Sequence, residues 1–107
     1  MESNTVIAAL SALAQESRLA IFRSLVVAGP EGMTPGTLSE ALALAPATLS
    51  FHLKELVQAG LLRKRQDGRY IHYQADFEAM SGVIEYLTEN CCQGQCCDID
   101  GTACAAS

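Results

Sequence analysis

The stretch Pro46–Tyr73, PATLSFHLKELVQAGLLRKRQDGRYIHY, changes its hydrophobic period once, and that change decides the fold. Up to Gln58, residues Leu49, Leu53, Leu56 and Val57 fall on one face of a helix, while Ala47, Ser50, Phe51, Lys54 and Gln58 point the other way. Pro46 suits the first helical position, where the missing N–H has no partner to lose, and Gly60 ends the helix. Beyond it, Leu61 to Arg65 and Arg69 to Gln74 are strand-like runs separated by Gln66-Asp67-Gly68. Asp-Gly between β-formers predicts a tight hairpin, because both residues tolerate the positive φ such a turn requires.

Working outward, Thr34-Pro35 is a hydroxyl N-cap followed by proline, so a short third helix is expected with Leu38 and Leu42 inward. Leu44-Ala45-Pro46 breaks it. A second helix is predicted over about Ser17 to Val27, with Leu19, Phe22, Leu25 and Val26 inside and an end near Ala28-Gly29-Pro30. Asp76 can cap a last helix to about Glu89, with Phe77, Met80, Val83, Ile84 and Leu87 along one stripe. Val6 to Ala14 ends in Ala12-Leu13-Ala14 and superficially resembles a signal peptide, but the residues before it include Glu2 and no Lys or Arg. Val6, Ile7, Leu10 and Leu13 recur at helical spacing, so an amphipathic first helix and an intracellular, cytoplasmic protein are expected.

A chain of 107 residues has room for one core, and 50% hydrophobic with 18% charged residues suits a globular fold. No apolar run approaches the roughly 18 residues that span a bilayer, so no membrane partner is expected. Five of the seven cations, Lys54, Arg63, Lys64, Arg65 and Arg69, face only Glu55 and Asp67 between Ser50 and Tyr73, a local net +3. The remainder carries −8 of a total of −5, and no Lys or Arg follows Arg69. Such a patch is either a solvated hairpin or a phosphate-binding surface on a protein whose acidity elsewhere suppresses indiscriminate sticking.

Helix, helix, short helix, turn, helix, hairpin, helix is the order of a winged helix-turn-helix: mainly α, five helices and one β-hairpin wing. The outer face of Pro46–Gln58 then suits a recognition helix in the major groove, and the basic hairpin lies against the backbone or minor groove. The patch thus falls on the two elements that docking to double-stranded DNA uses.

From about Leu10 to Leu87 the chain resembles the ArsR/SmtB family of small bacterial metal- and metalloid-responsive repressors. The resemblance rests on LAQESRLAIFRSL (Leu13 to Leu25) and PATLSFHLKELVQAGLLRKRQDGRYIHY (Pro46 to Tyr73); Ser50-Phe51-His52-Leu53, Ala59-Gly60-Leu61, Gly68-Arg69 and Tyr73 are its most specific parts. It implies DNA contacts from Ala47, Thr48, Ser50, Phe51, Lys54 and Arg69, and a homodimer joined through the first and last helices. Two departures stand out: Gln15-Glu16 replaces the usual Asp-Pro, and Ala45 stands where a hydroxyl N-cap is common. His52 falls toward the inner edge of its helix and is expected to pack or bond locally rather than read a base.

All five cysteines, Cys91, Cys92, Cys96, Cys97 and Cys104, lie in the last 17 residues. Disulfides suit oxidising compartments, and an odd count leaves one thiol over. Zinc held by four thiolates would carry −2 in a cation-free stretch, at the negative end of a helix dipole. Three thiolates on trivalent arsenic or antimony sum to zero, and soft sulfur suits a soft acceptor, so the charge balance favours As(III) or Sb(III) as inducer, with no permanent cofactor. The resemblance agrees: neither the family's Cys-x-Cys pair before the recognition helix nor its His-containing last-helix site occurs here, whereas vicinal cysteines after the last helix match Cys91 and Cys92, with Cys96 or Cys97 third. Residues 1–90 are therefore expected to form the DNA-binding and dimerisation domain, and 91–107 the inducer-binding tail of a metalloid-responsive repressor. The rivals are a zinc or cadmium sensor and a thiol-rich sequestering or partner-binding module without DNA binding. An enzyme is not expected, since no Ser-His-Asp spacing, phosphate loop or His base near the cysteines occurs.

Overall fold

The computed structural model describes residues 2–90; Cys91, Cys92, Cys96, Cys97 and Cys104, with the whole tail assigned to 91–107, lie outside the described residues. The elements run α1 (Ser3–Leu13), α2 (Glu16–Ala28), a 3-10 turn (Gly29–Glu31), α3 (Pro35–Leu42), α4 (Pro46–Gln58), β1 (Leu62–Asp67), β2 (Tyr70–Ala75) and α5 (Phe77–Thr88). This is the winged helix-turn-helix expected from the order of sequence periods. No single helix among the described residues is long and apolar enough to cross a membrane.

Local chemistry explains most boundaries. The Thr34 hydroxyl accepts from the Thr37 N–H at 3.3 Å and Pro35 opens α3. The Asp76 carboxylate accepts from the Ala79 N–H at 3.0 Å and starts α5. At α2 the Gln15 side chain takes over the capping role, accepting from the Arg18 N–H at 2.8 Å. Ala45 offers α4 no side-chain cap, and Pro46 at the first position starts that helix. Between α3 and α4 the chain turns through Ala43 in the left-handed region (φ 54°), and the Ser39 hydroxyl donates to the Leu44 carbonyl to close the turn.

The core lies between α2, α3 and α4 and extends to the base of the hairpin. Ile21, Leu25, Leu38 and Leu56 are wholly buried, with Phe22, Leu49, Leu53 and Leu61 nearly so. One expected inward face is corrected, and the apolar stripes of α1 and α5 divide between the core and solvent. In α2, Ile21 is inside, whereas Leu19 and Val26 are exposed. In α1, Val6, Ala9 and Ala12 face the core, leaving Ile7 57% and Leu10 41% exposed. In α5, Val83 is buried with Met80 packed beside the core, while Phe77, Ile84 and Leu87 stay in solvent. Apolar periodicity marks residues that avoid water, and it does not say whether this subunit or another one covers them.

The hairpin is longer than expected. Gln66 and Asp67 belong to the ladder, with Arg65 opposite His72 and Asp67 opposite Tyr70, so the loop is the two residues Gly68-Arg69. Only Gly68 has positive φ (64°), which fits a turn with glycine at its first central position. Behind the hairpin, Met33 and Tyr73 exchange backbone hydrogen bonds of 2.9 Å in both directions. Gly32 (φ 69°) allows that approach: a β-carbon there would overlap the Tyr73 carbonyl oxygen and come within 2.9 Å of its carbon.

Two outcomes are expected. Gly32→Ala should destabilise the protein by more than about 1 kcal/mol in chemical denaturation, because positive φ and the Tyr73 backbone both oppose it. Gly36→Ala, with open space around it in α3, should gain about 0.5–1 kcal/mol in the same measurement. For Asp76, burial raises the carboxyl, but the Ala79 N–H and the Arg63 guanidinium outweigh it and hold the group below its usual value. Its stabilising contribution is therefore complete above the ordinary carboxylate range and is lost as pH falls through the lowered value. Asp76→Ala should cost about 1 kcal/mol at neutral pH, and the difference between variant and wild type in unfolding curves should shrink as pH falls through the lowered carboxyl value.

Candidate nucleic-acid interface

Burial of one side of α4 sets the direction of the other. With Leu49, His52, Leu53 and Leu56 inside, Ala47, Thr48, Ser50, Phe51, Lys54 and Gln58 are all exposed along a 13-residue helix. Phe51 is 56% exposed, unusual for a large aromatic residue with no partner covering it. A helix with side chains is about 10–12 Å across, which matches the roughly 12 Å major groove. Hydroxyls at Thr48 and Ser50, a ring at Phe51 and an ammonium at Lys54 offer hydrogen bonds, a surface for a thymine methyl, and a phosphate contact.

The hairpin sorts its cations by the pleat. Arg63 donates to Asp76 at 3.1 Å and to Glu78 at 3.3 Å, so its charge is already matched by two carboxylates. Arg65, two residues on and on the same side, donates to the Glu31 carbonyl. Lys64 points to the opposite face, beside its cross-strand partner Tyr73. Lys64, Tyr73, Ser50, Lys54 and Gln58 line one crevice of about 300 Å³ between α4 and the wing. Arg69 occupies the second turn position at the wing tip, fully away from the core.

Of the five cations in the sequence patch, Lys54, Lys64, Arg65 and Arg69 form no ion pair among the described residues and all four lie on α4 or the wing, with Arg65 donating to the Glu31 backbone carbonyl and the other three left for a ligand. Lys64, Gln58 and Tyr73 are additions to the residues selected from the sequence. Strand alternation could have found Lys64, since it is out of phase with Arg63 and Arg65; the approach of Tyr73 to α4 depends on tertiary packing. His52 lies inside, 7% exposed, with Nδ1 3.4 Å from an Arg18 guanidinium nitrogen, so it is absent from the outer face. Among the described residues, no three His, Cys, Asp or Glu side chains gather into a metal-binding set.

Comparison with known proteins agrees with this architecture. A family model described as a helix-turn-helix domain matches residues 13–65. The chain is 42% identical over 80 residues to YceK of Bacillus subtilis (strain 168), an uncharacterized HTH-type transcriptional regulator, covering 71% of this chain and 79% of that protein. It is 32% identical over 92 residues to the arsenical resistance operon repressor of the same organism, covering 80% of this chain and 84% of that one. An ArsR-like transcriptional regulator from Rhodococcus sp. RHA1 shares the fold, with a TM-score of 0.75 at 22% identity over 85% of this chain and 83% of that one. With its recognition helix, its wing and these relatives, which are regulators and not enzymes, the chain belongs to the ArsR family of DNA-binding winged helix-turn-helix transcriptional regulators.

Proposed function

We propose that the protein is a homodimeric operator repressor that trivalent arsenic or antimony releases from DNA. The observation that carries the reading is the convergence of Lys54, Lys64 and Arg69 on α4 and the wing, on a chain whose last 17 residues hold all five of its cysteines. Similarity to an arsenical resistance operon repressor supports it.

In this reading, Ala47, Thr48, Ser50 and Phe51 meet base edges, and Lys54, Lys64 and Arg69 neutralise phosphates. Two copies, joined through the exposed Ile7 and Leu10 of α1 and Ile84 and Leu87 of α5, set two recognition helices about 34–36 Å apart on an inverted repeat. Those side chains are apolar and uncovered in one chain, and hiding them offsets the modest core of a 107-residue domain. Cys91 and Cys92, with Cys96 or Cys97, would hold the inducer. Three thiolates cancel a +3 charge, and the last turn of α5 has no basic residue, so no added negative charge is left at the helix's negative end. The cysteines begin three residues after α5, which touches α1; a change at this helix end shifts the angle between subunits. A coupling of about 1–3 kcal/mol, typical between such sites, lowers operator affinity by roughly 5–150-fold.

Two measurements test this. In operator binding across a salt series, Lys64→Gln should reduce the slope of log K against log salt by about two, one phosphate per protomer, whereas Arg63→Gln should leave it nearly unchanged. Cys91→Ser/Cys92→Ser protein should bind operator normally and stay bound when arsenite is added. Release as complete as in the wild type overturns the assignment of that pair.

A further inference from the structure

Among the described residues His52 is the buried polar side chain of the core, and the repression reading above gives it no role. It is also the inner end of a chain of contacts that crosses three helices. The Arg18 Nε donates to the Ala12 carbonyl at 2.7 Å, in the last turn of α1. The Arg18 backbone N–H is held by Gln15, which fixes where α2 begins. An Arg18 guanidinium nitrogen lies 3.4 Å from Nδ1 of His52 in α4. The imidazole also meets Phe51 edge-on, with ring centroids 5.7 Å apart and planes at 62°. Phe51 is on the exposed face. One side chain therefore links the end of α1 to the helix whose outer surface carries the operator contacts.

The chemistry of this link has one requirement. A guanidinium only donates, so Nδ1 must offer a lone pair and the ring must carry its proton on Nε2. Protonation at Nδ1 removes the acceptor and places two cations in contact.

Resting on the reading of α4 as the operator-binding helix, we propose that Arg18 and His52 are positioning residues, a strut that sets α4 against α1 and holds only while the imidazole is neutral. Burial pushes His52 below its ordinary value and the Arg18 charge pushes the same way, while Glu55 on its own helix opposes them. Arg18 from α2 and Glu55 from α4 are the charged groups acting on the ring. At neutral pH the strut is thus intact, and it opens as pH falls below the ordinary histidine range. A crevice of about 320 Å³ between α1, α2 and α4, lined by Ser11, Arg18, Glu55 and Gln58, gives the guanidinium room to leave. The end of α1 and the reading face of α4 are then no longer tied.

The experiment measures operator affinity from pH 8 to 5.5 at constant ionic strength, in a His72→Gln background so that His52 is the single histidine that titrates. His52→Asn places a carbonyl oxygen near the Nδ1 position, where it accepts from Arg18 but does not titrate. The His52 protein should lose affinity in acid by up to about tenfold per pH unit for each protomer, about a hundredfold for the dimer, below the pKa of its ring. The His52→Asn protein should match it within a few-fold at pH 8 and stay nearly flat. Parallel profiles overturn the strut while leaving operator binding in place; no specific binding by either protein at any pH overturns the operator reading instead. A second measurement needs no DNA and no stable His52 variant. In NMR titrations, His52 should have an unprotonated Nδ1 at pH 7.5, and Arg18→Gln should raise its midpoint; an unchanged midpoint overturns the strut.

Discussion

The burial of one face of α4 is the constraint on which the rest of the structure depends. Leu49, Leu53 and Leu56 are at most 1% exposed and pack in one core with Ile21, Phe22, Leu25 and Leu38. Each such side chain contributes about 1.5–3 kcal/mol on burial, more than an exposed ion pair of 0–1 kcal/mol supplies. Helical geometry then leaves no choice about the other side: Ser50, Phe51 and Lys54 must face outward. The reading surface is a consequence of the core, and its residues are free to vary in chemistry without disturbing it.

The wing obeys a second geometric rule. Its base is anchored by Leu61, Leu62 and Ala75, and the Met33–Tyr73 bridge at Gly32 ties its middle to the body. Alternation along β1 then divides the cations. Arg63 is spent on Asp76 and Glu78, which also belong to the start of α5, so it serves the fold. Lys64 turns to the crevice against α4. A chain of net charge −5 thereby gathers most of its cations on α4 and the wing, the elements proposed to meet DNA, with most of its carboxylates outside them.

The outward apolar side chains of α1 and α5 connect the two ends of the proposed regulation. Val6, Ala9 and Val83 bind these helices to their own core, and Ile7, Leu10, Ile84 and Leu87 remain for a second surface. Since α1 also offers the Ala12 carbonyl to Arg18 at 2.7 Å, a displacement of α1 against a second subunit has a short route to α4 through Arg18, 3.4 Å from His52. Coupling of this kind needs only two arrangements of packed helices whose energies differ by a few kcal/mol.

The order of elements, the recognition helix and its outward residues were legible in Pro46–Tyr73, because a change of period from 3.6 to 2 and a Pro or Gly at each junction are local facts. The inward placement of His52 followed from the same wheel. The turn at Gly68-Arg69 was read one residue too long, since Gln66 and Asp67 have no intrinsic mark that separates ladder from loop. The apolar stripes of α1 and α5 were legible as stripes, but not which of their residues this core covers, because hydrophobicity records avoidance of water and not which surface provides the shelter. Which cations stay free, that Tyr73 meets the α4 side of the wing, and that Arg18 reaches both Ala12 and His52 were decided only by tertiary structure: these contacts join residues 6 to 34 positions apart, and their partners are chosen by packing.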